Sequence, residues 1–281
     1  VDVLVDATQQ HAAPLTRARL FGWHAALFPT GYSRLEKITV GNWRTDERGA
    51  MEVISGRPGK TKVHYQAPPA SCLEHEMATF LTWFNTPGGQ DGIIRAAMAH
   101  FWFVTIHPFD DGNGRLARAI TDMALAQDEK TARRAYSMSW QIAHARKTYY
   151  AVLEEAQRSD GDLTDWLRWF LDTLQQAMLR SKDLAKATLM KAAFWKRHAS
   201  VPINERQRKV LNKLLDAGPD GFEGGLSNQK YRHLTKSSSA TATRDLVDLV
   251  RKGMLILEGG GRSARYKAYG HDDGHVFDAG T

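Results

Sequence analysis

Residues 107–118 read His107-Pro108-Phe109-Asp110-Asp111-Gly112-Asn113-Gly114-Arg115-Leu116-Ala117-Arg118. An apolar run over about 92–106 delivers the chain to His107, and Pro108 blocks a helix from continuing through that point. Gly112-Asn113-Gly114 then opens a second helix. Two glycines let the backbone curl until successive N–H groups face one point, an anion nest at the positive end of a helix dipole. Arg115 and Arg118, three apart, share one face of that helix. Two guanidinium groups beside a nest suit a polyphosphate rather than a lone carboxylate. Asp111 would repel phosphate unless a cation bridges them, and Mg2+ held by one carboxylate plus phosphate oxygens is a standard solution. His107 is the one nearby group that titrates near neutrality, so it can take a proton from an incoming hydroxyl. The segment reads as phosphoryl or nucleotidyl transfer to a hydroxyl, by positioning and charge stabilisation.

Outward from this segment the pattern is mostly helical. Helices are predicted over 15–27, 70–85, 91–106, 113–126, 138–157 and 162–197. In the last, Leu163, Trp166, Leu167, Phe170, Leu171 and Leu174 follow the spacing of one buried face. Residues 51–66 read as a hairpin, with Gly56-Arg57-Pro58-Gly59 as its turn. Two strands alone are not stable, so the hairpin must lie on the helical body, as a flap or as plain structure. Val201-Pro202 marks a domain boundary. Helices over 204–216, 227–235 and 238–252 follow, with a Gly-rich break at 218–225. A small hairpin around Leu255–Leu257 and Ala264–Tyr266 ends the pattern. Three helices and a hairpin are the outline of a winged helix-turn-helix. The expected organisation is one domain over 1–200, a second over 201–270, and a loose tail at 271–281.

The chain has 281 residues, of which 42% are hydrophobic and 25% charged. That suits a soluble chain of about two domains and excludes a disordered tail, a collagen-like repeat or a disulfide scaffold. No apolar run reaches the roughly 18–20 residues of a membrane span, and no secretory signal is visible. Residue 1 is Val, so what is absent at the N-terminus carries little weight. The one cysteine, Cys72, excludes internal disulfides and cysteine zinc sites, and a reducing cytoplasm is the expected location. Cys72 itself is expected to be a buried small hydrophobe, because no basic neighbour lowers its pKa. Glu74-His75-Glu76 point apart on a helix and read as a polar face, and Pro108 separates His100 from His107 as metal ligands. His64 is expected at the surface.

The segment 107–118 resembles the signature of the Fic family, HxFx(D/E)GNGRxxR, at every specified position: His107, Phe109, Asp111, Gly112, Asn113, Gly114, Arg115 and Arg118. The resemblance implies a mostly α fold, a Fic-type helical bundle with a β-hairpin flap, here followed by a small C-terminal winged-helix domain. It implies a protein adenylyltransferase that moves AMP from ATP to a Ser, Thr or Tyr hydroxyl of a target protein and releases pyrophosphate. By that analogy His107 is the general base and Phe109 anchors the loop in the core. Asp111 holds Mg2+ between the α- and β-phosphates of the ATP co-substrate. The Gly112–Gly114 backbone and Asn113 cradle phosphate, and Arg115 and Arg118 hold the β- and γ-phosphates. Leu116 and Ala117 are counted in the same nucleotide-binding run. The acid at 111 favours nucleotide transfer, because family members that have lost it tend to other chemistry. Two alternatives stand: transfer of another nucleotide or phosphate-containing group, and a nucleotide-sensing transcriptional regulator acting through the winged helix.

The same resemblance makes residues 51–66 the flap that aligns a target segment by main-chain pairing, with Val53, Ile54, Ser55 and Gly56 nearest nucleotide and target. Tyr149, Tyr150 and Gln157 match positions that line the adenine and ribose pocket. They also recur with Leu153 at helical spacing, so core packing is an equal reading. Many family members carry an inhibitory helix bearing (S/T)xxxE(G/N), whose Glu pairs with the second motif arginine, here Arg118. No such motif occurs in these residues. The expectation is a de-inhibited form, the Glu coming from an upstream segment in cis or from a partner in trans.

The net charge is +7. Within residues 201–270 there are 13 Lys and Arg against 7 Asp and Glu, so the basic excess sits in the C-terminal quarter. DNA is one partner that fits; a solvated basic face is the other reading. Residues 237–252 would be the recognition helix, with Arg244 outward and Arg262 and Arg265 on the wing. Asp245 and Asp248 reduce the positive field, so protein docking or homodimerisation stays open.

Overall fold

The computed structural model describes residues 2–268 apart from Pro58, Gly59, Pro87, 218–221, 223 and 224, and leaves out the side chains of Ser55, Arg57 and Arg262. The expected tail, the tip of the flap turn and most of the Gly-rich break lie outside the described residues. The chain is mainly helical and divides into two compact units, Val1–Met178 and Leu179–Thr281. The Pro202 punctuation placed the boundary near 200. The division falls earlier because one long helix, α8 (Thr164–Arg197), supplies Leu174 to the first core and Phe194 to the second.

The first unit begins with α1 (Asp2–Gln9), which the sequence pattern did not reveal, and α2 (Arg17–Leu27). A two-residue ladder, β1 (Tyr32–Ser33) with β2 (Glu36–Lys37), interrupts the expected irregular segment. The hairpin β3 (Glu52–Arg57) and β4 (Lys60–Gln66) follows, then α3 (Leu73–Asn85), α4 (Gly92–Ile106), α5 (Asn113–Glu129), α6 (Met138–His144) and α7 (Arg146–Arg158). The helix expected over 138–157 is thus two, parted at Ala145, whose ψ of 24° leaves the helical range.

Helix α5 is the axis of this unit. From Leu116 to Ala126 only Arg118 escapes full burial. Small residues make this possible: Ala117, Ala119 and Ala124 on α5, with Ala96, Ala97 and Ala99 on α4, let backbones approach closely. The Asp91 carboxylate caps α4, accepting from the N–H groups of Ile93 (2.9 Å) and Ile94 (3.1 Å). Such a cap contributes about 1 kcal/mol. On α8, Trp166, Phe170 and Leu174 are buried. Leu171, predicted to share their face, is exposed instead, because it lies on the helix flank beyond that stripe. Cys72 is also exposed, in a single 3-10 turn before α3, rather than buried as expected. Among the described residues no helix is long and apolar enough to cross a membrane.

The second unit contains α9 (Glu205–Leu215), α10 (Asn228–Thr235), α11 (Ser239–Arg251) and the hairpin β5 (Leu255–Glu258) with β6 (Arg265–Ala268). A single bridge from Leu226 to Tyr266 extends that hairpin. Leu211, Leu226, Tyr231, Leu246 and Met254 form its core. A complete capping box at Asn204 and Gln207 starts α9.

Candidate active site

Helix α4 ends at His107 in the left-handed conformation, φ 52°. A non-glycine residue there is held by its surroundings. The holder is Arg44, whose side chain is fully buried. Its Nε donates to the His107 carbonyl at 2.8 Å, its Nη1 pairs with Asp46 at 2.7 Å and its Nη2 donates to the Pro68 carbonyl. The Arg44 N–H also donates to the Pro108 carbonyl at 2.9 Å. On the ring, Nδ1 donates to the Val104 carbonyl at 3.1 Å. A carbonyl can only accept, so Nδ1 carries the proton and Nε2 is the lone-pair nitrogen. Burial, reinforced by the Arg44 charge, pushes the His107 pKa down to about 4. The imidazole is a neutral acceptor at physiological pH.

Phe109 is fully buried and stacks on His24, ring centroids 4.1 Å apart. His24 is buried as well. Gly41 N–H donates to its Nδ1 at 3.3 Å, so Nε2 carries the proton and donates to the Asp111 carbonyl at 3.1 Å. Burial lowers the His24 pKa, which suits that neutral bridging form. Asn113 completes the loop: Phe109 N–H donates to its Oδ1 at 3.0 Å, and its Nδ2 donates to the Phe109 carbonyl at 2.7 Å. Its side chain is therefore an internal brace. This corrects the expectation that it cradles phosphate; only its backbone faces outward.

Gly112 begins α5 at φ +86°, and a Cβ there would lie 2.8 Å from the Phe28 ring. A Cβ on Gly114 would meet only Arg118 Nη1 at 3.7 Å, so the space above the helix start is open. The N–H groups of Asn113 and Gly114 have no acceptor among the described residues. Arg118 is half-buried and makes no ion pair among them, although its charge acts on the buried Asp122 carboxyl. Arg115 is exposed, lies over Phe28 at 4.5 Å and is 3.8 Å from Asp111. Leu116 and Ala117 are core residues, pointing away from the open side. Their inclusion in the nucleotide-binding run is corrected: adjacency in sequence put them there, and helix rotation carries them inward.

The Asp111 carboxylate is half-exposed at the loop mouth and accepts from the Ser33 hydroxyl. Among the described residues no three His, Cys, Asp or Glu side chains converge as a metal cage. A lone accessible carboxylate fits Mg2+ shared with phosphate oxygens, because that ion keeps several waters and takes one or two carboxylates.

The hairpin carries Val53 opposite Tyr65 and Ile54 opposite Val63, with an irregularity between these pairs. Ile54 and Val63 are both exposed. Gly56, at φ +115°, has no room for a Cβ, which would fall 2.2 Å from the Lys60 carbonyl oxygen. The Ser55 side chain lies outside the described residues. The hairpin is fixed at two points. Tyr65 donates to the Thr105 carbonyl at 2.8 Å, and His64 pairs with Glu154 on α7 at 2.5 Å. His64 is therefore a half-buried anchor rather than a surface side chain. Lys62 and Arg158 join the same Glu154, and its carboxyl is held below its ordinary value chiefly by the His64 bond.

Gln157 donates to the Thr105 hydroxyl at 3.1 Å, so flap and α7 meet two residues before His107. Tyr150 is exposed, under the Arg146 guanidinium at 5.5 Å. Tyr149 is elsewhere. It is buried, and its hydroxyl donates to His100 Nε2 at 3.0 Å. His100 Nδ1 donates to Thr121 Oγ1 at 2.9 Å, and the Thr121 hydroxyl donates to the Ala117 carbonyl at 2.8 Å. Of the two readings open for Tyr149, the structure selects core.

His24, Arg44, Thr105 and Glu154 were not singled out by sequence. Arg44 meets His107 across 63 positions and His24 meets Asp111 across 87, so no local spacing signals them. Buried His and Arg are uncommon enough to notice only once burial is known.

These elements, a helix ending at a histidine and a glycine-rich loop opening the next helix under a hairpin, define a Fic fold. Residues 14–125, under half of the chain, match the Fic/DOC family model. The chain is similar to a uridine 5'-monophosphate transferase of Xanthomonas campestris pv. campestris, 33% identical over 129 residues, 43% of this chain and 23% of that protein. It is also similar to protein adenylyltransferase fic-1 of Caenorhabditis elegans, 37% identical over 126 residues, 43% of this chain and 23% of that protein. The chain thus spans about a quarter of the length of the curated relatives it matches. A solved Fic family protein from Desulfovibrio desulfuricans G20 shares the fold with a TM-score of 0.50 and 20% identity, covering 95% of this chain and 72% of that one.

Proposed function

We propose that this chain is a protein adenylyltransferase, transferring AMP from Mg-ATP to a hydroxyl side chain of a target protein. The observation that carries the reading is the His107 ring. Its Nδ1 is committed to Val104, which leaves Nε2 as a neutral base at the edge of a loop that opens toward Arg118, a guanidinium with no ion pair among the described residues. The N–H groups of Asn113 and Gly114, without an acceptor among the described residues, and the Arg115 and Arg118 guanidinium groups fit the phosphate oxygens.

In this reading the target hydroxyl gives its proton to His107 Nε2 as its oxygen bonds to the α-phosphorus. The bond from that phosphorus to the bridging oxygen breaks, and pyrophosphate leaves with the electron pair. Asp111 would hold Mg2+, which would supply neutralisation of phosphate charge when bound. The exposed Ile54 and Val63 of the flap give the target segment an edge and an apolar pair to lie against. Tyr150 and Gln157 remain the residues proposed to flank the nucleoside.

The kinship to a uridylyl-transferring relative favours one second reading, the same chemistry with UTP. The test is intact-mass spectrometry of the purified chain and added lysate proteins after incubation with Mg-ATP or Mg-UTP. A gain of one AMP, absent in His107→Ala, supports the proposal. A gain of UMP alone selects the second reading, and label arriving from the γ-phosphate of ATP overturns both.

A further inference from the structure

Charge is divided unevenly along this chain. Residues 179–268 hold 19 Lys and Arg against 8 Asp and Glu, while residues 1–178 hold 19 against 20. Asp245 and Asp248, which lower the positive field of α11 in the sequence, are both turned to internal work. Asp245 is buried and accepts from Arg206 Nε (2.9 Å), the Tyr231 hydroxyl (2.9 Å) and Asn204 (3.0 Å). Asp248 accepts from Gln207 at 2.9 Å and pairs with Arg251 and Lys252. These contacts pull its pKa down to about 2, the Lys252 bond contributing most.

Ala242, Leu246 and Leu249 seat α11 on the core. The opposite row is Ala240, Thr243, Arg244, Val247 and Arg251, all exposed. Small residues near the start of this row let a backbone or base edge come close. Arg244 makes no ion pair among the described residues, and neither do Arg232 and Lys236, exposed on α10 and at its end. Asn228 of α10 donates to Thr243 at 2.9 Å and to the Ser239 carbonyl at 3.3 Å, which fixes the two helices as a unit. On the hairpin, Lys267 is 3.1 Å from Glu258 and Arg265 is half-buried in β6, while the Arg262 side chain lies outside the described residues.

We infer that the outward row of α11, with Arg232 and Lys236 of α10 beside it, is a surface for duplex DNA. A helix of this width enters the major groove, and the preceding helix places its cations on the flanking phosphates. The acids that would repel phosphate are held inward or neutralised, so the face presents cations and small polar groups to the partner. This reading is independent of the chemistry assigned to His107.

The test uses the full chain and a fluorescein-labelled duplex of mixed sequence, about 25 base pairs, followed by anisotropy from about 50 to 200 mM salt. Binding is expected at the low end, with log affinity falling about 0.9 per log salt for each phosphate contacted. Arg244→Ala combined with Arg232→Ala is expected to weaken binding at least about tenfold and to reduce the slope by about two. Both side chains are exposed, so circular dichroism melting should be unchanged. Absence of binding at about 50 mM salt overturns the inference. So does undiminished binding by the double variant, or displacement of the duplex by polyglutamate at equal charge, which assigns the face to acidic proteins instead.

Discussion

Arg44 Nε and the carbonyl oxygen of His107 are 2.8 Å apart, and this bond joins a buried guanidinium to the backbone of the proposed base. In the proposed reaction Arg44 acts through His107, as a positioning residue. Its planar fork spans His107, Asp46 and Pro68 together, which an ammonium cannot reproduce. Arg44→Lys is expected to lower kcat for nucleotidyl transfer roughly 10- to 100-fold, since misplacement by about 1 Å costs this much. The KM for ATP should change little. Arg44→Met removes the charge as well, so the acidic limb of the pH profile should move upward, whereas Arg44→Lys should leave the limb low. Identical profiles for both variants would assign Arg44 a purely structural role.

His107 must be neutral to accept a proton. Burial and the Arg44 charge lower its pKa to about 4, so activity should rise through that region and stay flat toward pH 8. Initial rates of AMP transfer across that range check this. A half-point near the ordinary histidine value would show that the ring is not held as described.

Gly112→Ala meets two obstacles, a positive φ and the Phe28 ring 2.8 Å from the new Cβ. The cost is of order 1–3 kcal/mol for the backbone strain alone. A lower melting temperature and loss of measurable ATP binding by calorimetry are expected together, because the displaced loop includes the Asn113 and Gly114 N–H groups.

Ile54 and Val63 face each other across the flap and are exposed without a structural need. The double change to Ser should leave stability within about 0.5 kcal/mol. Modification of target proteins should fall severalfold while ATP hydrolysis by water, followed as AMP release, persists. Equal loss of both would place the pair in nucleotide binding.

His100 is buried and its pKa is lowered to about 3, first by burial and then by the Arg118 charge. The unfolded imidazole binds a proton below about 6.5 that the folded one refuses. Stability is therefore complete above that pH and is lost as pH falls toward 3. Melting temperatures between pH 7 and 4 should decline, and His100→Gln should start lower but decline less steeply.

Much of this was legible locally. The helix periods, the proline stop after His107 and the glycine pair that opens α5 are all properties of neighbouring residues, because backbone sterics and side-chain spacing act over a few positions. The motif itself was readable for the same reason. Contacts across long separations were not. Asn113 turned inward to Phe109, Tyr149 went to His100, Leu171 rotated out to solvent, and Arg44 and His24 closed on the motif loop from far upstream. Periodicity states that a residue has a buried or an exposed side, and tertiary packing alone decides what lies against it. The two acids of α11 make the same point: their charge is visible in the sequence, while their direction, and hence the field the helix presents, is set by the partners folding places behind them.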